Sequence, residues 1–383
     1  MVTSFPWESQ CRTISLYCPI FYAAAGKEYE VFYRIIIIQQ TGVCKMEVLL
    51  IGGTGTISTA VARLTAARGA KVTLLTRGSH PERAPQGAEL LRADISDGKT
   101  VAKLLEGRKF DAVADFNIMV PEDAERDISL FAGKTEQFLF VSSASVYRKP
   151  PVNYPFTESS PLGNAYWRYA RDKLACEELF TAAYRSGGFP VTIVRPSHTY
   201  CERTVPLAVH GKNGAWQVLS RMRSEKPVIV HGDGLTLWTF THADDFAEGF
   251  CGLFGNRHAI GETVHITSDE AITWNDAYEQ IGKALGVKPN LVHIPSDFLA
   301  AADPSLLGNL LGDKACCGVF DNSKIKRLVP GFRAKTLFSD GVRRSVDFFL
   351  SHPEVQTPDP DFDAWCDRVI AAHFAGMKKL RSI

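Results

Sequence analysis

Met46-Glu47-Val48-Leu49-Leu50-Ile51 runs into Gly52-Gly53-Thr54-Gly55-Thr56-Ile57-Ser58, and an apolar-periodic segment continues through Val61, Leu64 and Ala67. A short β-prone run, a glycine cluster and a helical period in that order predict strand, tight turn and helix. Gly69 closes the helix, and Val72-Thr73-Leu74-Leu75 reads as a second strand. In that context Gly52 permits the turn, and Gly55 lets the backbone approach a pyrophosphate lying on the helix N-terminus, where free N–H groups point outward. Thr54, Thr56 and Ile57 complete the expected cofactor turn. Ser58, at the third small-residue position, allows close packing of helix on strand. No Lys-Ser/Thr pair follows the glycines, which excludes a P-loop.

Working outward, the second strand ends at Thr76-Arg77-Gly78. An acid there would accept the ribose 2′-OH of NAD; Arg77 instead suits a 2′-phosphate and favours NADP over NAD. Later strands end at Asp94-Ile95, placed to meet an adenine, at Asp115-Phe116-Asn117, at Ser142-Ser143 and at Arg195-Pro196. Helical patterns between them predict a mostly parallel sheet with right-handed crossovers and a ligand crevice at the carboxyl ends. Asp94, Ile95, Asp115, Asn117, Ser142, Pro196 and His198 are the cofactor-side candidates in that crevice.

Tyr169 and Lys173 are four residues apart at the start of a predicted helix running to about Tyr184, so they share a face. A tyrosine serves as base near neutral pH if an ammonium favours its phenolate. The pattern therefore predicts Tyr169 taking a hydroxyl proton as hydride leaves the same carbon. Lys173 would supply the charge and bind the nicotinamide ribose, and Ser143 would hold the substrate oxygen. Tyr166 competes for the role, but Ala170 stands where its lysine would be.

The remaining features narrow the class. Lys plus Arg is 43 against 42 Asp plus Glu, a formal charge of +1, which argues against a nucleic-acid partner. No apolar run approaches the ~18–20 residues that span a bilayer. Nine cysteines without C-x-x-C spacing suit reduced thiols in the cytoplasm. The histidines show no metal-ligand spacing, and Cys316-Cys317 suit neither zinc nor an easy disulfide, so no metal is expected. Residues 1–45, with Cys11, Cys18 and Cys44, break the strand–helix beat. They read as an extension outside the core fold, or as residues ahead of a true start at Met46. Within them Glu28–Ile38 is β-prone enough for an edge strand. Leu380-Arg381-Ser382-Ile383 read as a solvated, slightly basic tail.

From Met46 to about Pro353 the sequence resembles the NAD-dependent epimerase/dehydratase family, in the extended or atypical branch of the short-chain dehydrogenases/reductases. The glycine turn, Asp94, the Ser142–Tyr147 stretch, Tyr169/Lys173, Arg195-Pro196, His231-Gly232-Asp233-Gly234, Thr241–Asp245 and Phe320–Lys324 carry it. The resemblance implies an α/β fold, a Rossmann-type doubly wound parallel sheet with a smaller C-terminal α/β substrate domain. The implied boundaries are 46–196 for the NAD(P)-binding domain, with a return segment near 238–262, and 197–383 for the mainly substrate-binding domain. It also implies catalysis by Ser143, Tyr169 and Lys173 on a sugar or nucleotide-sugar hydroxyl, and a homodimer through the Tyr166–Tyr184 helix. Two departures stand out. Sugar 4,6-dehydratases of the family carry Asp-Glu where this chain has Ala144-Ser145, so dehydration is disfavoured. Arg148 and Cys201 replace family glycines around the usual nucleotide-sugar pocket. The atypical branch also contains plastid RNA-binding relatives, so an RNA-binding or dinucleotide-sensing regulator is the alternative reading.

Overall fold

The structure, a computed structural model, describes residues 12–24, 27–39 and 45–380. Cys11, Cys44 and the tail from Arg381 lie outside the described residues. The first two stretches are strands β1 (Arg12–Ala24) and β2 (Lys27–Gln39). They pair antiparallel as a two-stranded sheet of their own, from Arg12 opposite Gln39 to Ala24 opposite Lys27. The β-prone run Glu28–Ile38 thus pairs with the residues just before it. Residues Met46–Ile383 form the second unit.

That unit begins with β3 (Glu47–Ile51), β4 (Lys71–Thr76), β5 (Glu89–Arg92), β6 (Ala112–Asp115), β7 (Phe138–Val141) and β8 (Val191–Pro196). Its second half carries β9 (His198–Tyr200), β10 (Val228–His231), β11 (Leu237–Trp238) and β12 (Phe240–His242) before β13 (Thr263–Ile266), with β14 (Ile272–Thr273) and β15 (Leu291–Ile294) after it. The central sheet has seven parallel strands in the order β13-β8-β7-β6-β3-β4-β5. In β3, Val48 and Leu50 are buried on one face, Leu49 and Ile51 on the other. Burial on both faces is what a parallel sheet sandwiched by helices demands. The helices include α1 (Ser58–Ala67), α2 (Gly98–Leu104), α3 (Pro121–Phe131), α4 (Arg168–Gly187), α5 (Trp216–Arg223) and α6 (Ala243–Leu253). α6 packs on α1, while α3 packs on α4.

The sheet is completed from far along the chain. β13 pairs with β8, so the return to the Rossmann layer runs through α6 to Ile266, slightly beyond the predicted 238–262. A separate core gathers Trp274, Tyr278, Phe240, Phe338 and Val342 under the smaller sheets β9-β12, β10-β15 and β11-β14. Thr273 caps the helix Trp274–Leu285 reciprocally with Asp276, and the late helix runs Phe338–Ser351. No helix among the described residues is long and apolar enough to cross a membrane.

Candidate active site

The sheet brings the glycine turn to the carboxyl end of β3. Gly52 has φ +75°, and a Cβ on it would lie 2.5 Å from the Asn117 amide. The position therefore needs glycine both for its conformation and for room. Ser58 does more than allow close packing. Its hydroxyl accepts the Gly55 N–H at 2.8 Å and donates to the Gly52 carbonyl at 2.7 Å, which staples the turn shut. The N–H groups of Thr56 and Ile57 have no partner among the described residues. Gly52, Thr54, Gly55, Arg77, Asp94, Ile95 and Asn117 all line one cavity of about 660 Å³. Thr56 faces a neighbouring cavity, and Ile57 is half-buried against the sheet core. Hydrogen bonds from the Ser96 N–H and hydroxyl hold the Asp94 carboxyl below the usual range.

Asp115, expected in the crevice, is elsewhere. Its side chain is fully buried near Asp127, and the Arg126 guanidinium pairs with both. Burial raises both carboxyls, and Asp127 is pushed well above the usual range by the neighbouring charge as well. Each carboxylate's charge disfavours the other's, and the Arg126 guanidinium opposes that shift. Asp115 serves the cleft indirectly, by accepting the Asn117 N–H at 2.6 Å.

Ser143, Tyr169, Pro196 and His198 meet on the wall of a second cavity of about 300 Å³. Tyr169 stands beside Ser143, whose Oγ accepts the Ser145 N–H at 3.1 Å and the Ser145 hydroxyl at 2.9 Å. Burial raises the Tyr169 pKa, and Asp313 raises it further, so the phenol is protonated at neutral pH. Lys173 lies beneath, its Nζ 5.8 Å from the Tyr169 ring centre. It donates to the carbonyls of Ile118 and, at 2.9 Å, Val141. Burial pulls its pKa down to about 8. The spacing of Tyr169 and Lys173 predicts an ammonium favouring the phenolate; the influences that act on the phenol here are burial, Ser143 and Asp313.

Ser142, expected beside the cofactor, turns the other way. Its hydroxyl donates to Glu177 at 2.5 Å, and Glu177 takes a two-pronged bond from Arg195 at 2.9 and 2.5 Å. Arg195 donates on to the Tyr147 hydroxyl at 2.8 Å, which meets His265 Nε2. All these side chains are buried.

Several contributors were invisible in the sequence. A π-helical turn, Leu310–Lys314, brings Asp313 and Lys314 to the Tyr169 cavity. Asn164, just before α4, pins that turn by donating to the carbonyls of Gly312 at 2.6 Å and Ser145 at 2.8 Å. His198, already a candidate from the sequence, stands between this cavity and a larger one of about 550 Å³ that reaches Thr56. Burial keeps its imidazole neutral, and its Nδ1 has no partner among the described residues. Arg83 and Arg126 join Arg77 on the glycine-turn cavity. Glu202, His242 and Asp244 bring ligand-type atoms within 4.8 Å, but the Arg344 guanidinium lies 3.8 and 3.5 Å from the two carboxylates and already balances them.

Comparison with known proteins bears on the family and the fold. Residues 48–266 match the NAD dependent epimerase/dehydratase family. Over 294 residues, 76% of this chain and 81% of the relative, the sequence is 28% identical to a 2′-dehydrokanamycin reductase of Streptomyces kanamyceticus. Over 267 residues, 66% of this chain and 67% of the relative, it is 28% identical to the chloroplast stem-loop binding protein of 41 kDa b of Arabidopsis thaliana. Among solved structures, an epimerase from Methanothermobacter thermautotrophicus superposes with a TM-score of 0.68 at 18% identity, covering 82% of this chain and 94% of that one. The UDP-glucuronic acid 4-epimerase of Bacillus cereus, solved with UDP-glucuronic acid and NAD, gives 0.65 at 19% identity, over 80% and 99%. At these identities the structural likeness is one of fold. With over half its residues matched, the chain belongs to the NAD-dependent epimerase/dehydratase family of enzymes.

Proposed function

We propose that this protein is an NAD(P)-dependent oxidoreductase that interconverts a carbonyl and a hydroxyl on a sugar or nucleotide-sugar-like substrate, with NADP the preferred dinucleotide. The observation that carries the reading is Tyr169 beside Ser143 on a cavity wall, with the Lys173 ammonium beneath.

The first cavity fits a dinucleotide. Gly52 leaves open a cradle that a Cβ would fill, and the N–H groups of Thr56 and Ile57 are free to meet phosphate oxygens at the start of α1. Gly52, Thr54, Gly55, Thr56 and Ile57 would hold the pyrophosphate, Asp94 and Ile95 the adenine, and Asn117 the segment between. Arg77 would meet a 2′-phosphate, and Pro196 and His198 the nicotinamide end. A bound nicotinamide supplies hydride chemistry. Everything else falls to the chain's own side chains. Ser143 holds the substrate oxygen, and Tyr169 moves the proton at that oxygen. Because burial keeps the Tyr169 phenol protonated, it is primed to donate, which suits carbonyl reduction. Lys173 supplies the positive charge that limits the cost of the phenolate left behind.

Dehydration has little support here. Ala144 and Ser145 are buried, and Asp313 is the one carboxylate among the described residues lining the Tyr169 cavity. Elimination of water calls for an acid and a base together. Reduction without cofactor recycling also accords with the likeness to 2′-dehydrokanamycin reductase. The likeness to the chloroplast stem-loop binding protein favours a second reading, as an RNA-binding regulator on the same fold.

Native mass spectrometry of the purified chain, followed by NADPH consumption against a panel of keto-sugars, tests the proposal. Consumption of NADPH with alcohol formation supports it. A tightly retained NAD, with isomerisation and no net consumption, would replace it with a cofactor-recycling epimerase. Salt-sensitive stem-loop RNA binding without turnover would favour the regulator.

A further inference from the structure

The second loop of the dinucleotide cleft holds an arginine that neither the glycine turn nor the strand end accounts for. Arg83 sits at the end of a short 3₁₀ turn, Pro81–Arg83. Its side chain is 22% exposed against 75% for Arg77. Its Nη1 donates at 3.1 Å to the carbonyl of Thr54, in the glycine turn. Its Nε is buried with no hydrogen-bond partner, and the carboxylate at 3.6 Å belongs to the exposed Glu82. The guanidinium thus spans from the strand-end loop to the phosphate turn and lines the same cavity as Arg77, Ser79 and His80.

The strand end presents no carboxylate to an unmodified ribose. The Thr76 hydroxyl accepts the Gly78 N–H at 3.2 Å, and no carboxylate follows it. Asp94, across the cavity, is held by the Ser96 N–H and hydroxyl and meets Arg77 only loosely, at 4.0 Å. A free donor on a guanidinium already held in place costs little side-chain entropy when it binds. An exposed, loosely paired arginine costs more, and salt screens it more strongly.

We infer that Arg83 is the principal 2′-phosphate ligand of this cleft, with Arg77, Ser79 and His80 closing around the same group. The inference rests on the dinucleotide reading above and goes beyond it by naming the residue that decides between NADP and NAD.

Calorimetric titration of the full chain with NADP⁺, NAD⁺ and 2′,5′-ADP provides the test, with thermal unfolding as a check on folding. The wild type binds NADP⁺ and 2′,5′-ADP at least ~10-fold more tightly than NAD⁺. Arg83→Ala weakens NADP⁺ and 2′,5′-ADP by ~10–100-fold and NAD⁺ by less than ~3-fold. Arg77→Ala weakens NADP⁺ by less than ~5-fold. Arg83→Lys keeps the charge, loses the fork and falls between; it is read in the same way if Arg83→Ala fails to fold. Equal weakening of both dinucleotides would make Arg83 a structural strut of the glycine turn and overturn the inference. An undiminished NADP⁺ preference in Arg83→Ala would overturn it while leaving the NADP reading intact. A wild type without preference for the phosphorylated ligands would overturn both.

Discussion

Ser142 and Ser143 are neighbours just past β7, and their side chains leave in opposite directions. Ser142 enters a dry network with Glu177, Arg195, Tyr147 and His265. Ser143 faces a cavity with Tyr169, above Lys173. Each side holds a serine, a tyrosine and a cation, so residue chemistry alone does not separate them. Satisfaction does. On the dry side, the tyrosine hydroxyl meets both a guanidinium and an imidazole, and both carboxylate oxygens of Glu177 are bonded. On the open side, Lys173 holds to two backbone carbonyls and Tyr169 stands with Ser143 beside empty volume. A saturated network fixes geometry, while an unsaturated one leaves donors for a substrate.

That contrast is open to direct attack. Tyr169→Phe should lower turnover by ~10²–10⁴-fold. Its NADP⁺ affinity, read by fluorescence titration, should stay within ~3-fold of the wild type, because the phenol acts on substrate. Activity surviving in this variant would erase the distinction between the two sides. Glu177→Gln should cost ~3–5 kcal/mol of stability in urea unfolding, because it leaves the Arg195 guanidinium buried without its counter-charge. The serine pair gives a sharper measure. Ser143→Ala should reduce turnover by ~10²-fold with little change in unfolding. Ser142→Ala should do the reverse, removing ~1.5–3 kcal/mol of stability and leaving turnover within a few-fold. Two alanines with the same profile would mean that burial does not divide the roles.

The smallest expected effect is that of pH. With its pKa pulled down to about 8, Lys173 is charged below that pH and loses its proton above it. Turnover should therefore fall on the alkaline side near pH 8 in a rate profile. Stability moves the opposite way. Between about 8 and the ordinary 10.5, the folded lysine is neutral while the unfolded one binds a proton, so its contribution to stability rises with pH.

Much of the fold could be read along the chain because parallel strands leave continuous apolar runs, and turns between strand and helix need glycine. Val48–Ile51, Gly52 and the period of α1 are local signals of that kind. The Tyr169/Lys173 pair was legible for the same reason, since helical spacing places both on one face. Asp115 was not. Its strand-end position is shared by residues that face the crevice, and only the approach of α3 with Asp127 and Arg126 turns it inward. His198 is separated in sequence from Asp313 and Lys314 by more than a hundred residues. No local pattern announces that β9 and a π-helical turn share a cavity. Arg83 was overlooked because its partner is a backbone carbonyl, which every residue carries.

The sequence by itself determined the doubly wound sheet, the place of the glycine turn and the sharing of one helix face by Tyr169 and Lys173. Those follow from periodicity and from backbone needs satisfied within a few residues. Only the tertiary structure decided which polar groups are sealed and which stay open. It turned Ser142 and Asp115 into the interior and left Ser143, Tyr169 and Arg83 on cavity walls. The physical reason is that a polar side chain's role depends on whether its remaining hydrogen bonds are filled by the protein, and the groups that fill them arrive from distant parts of the chain.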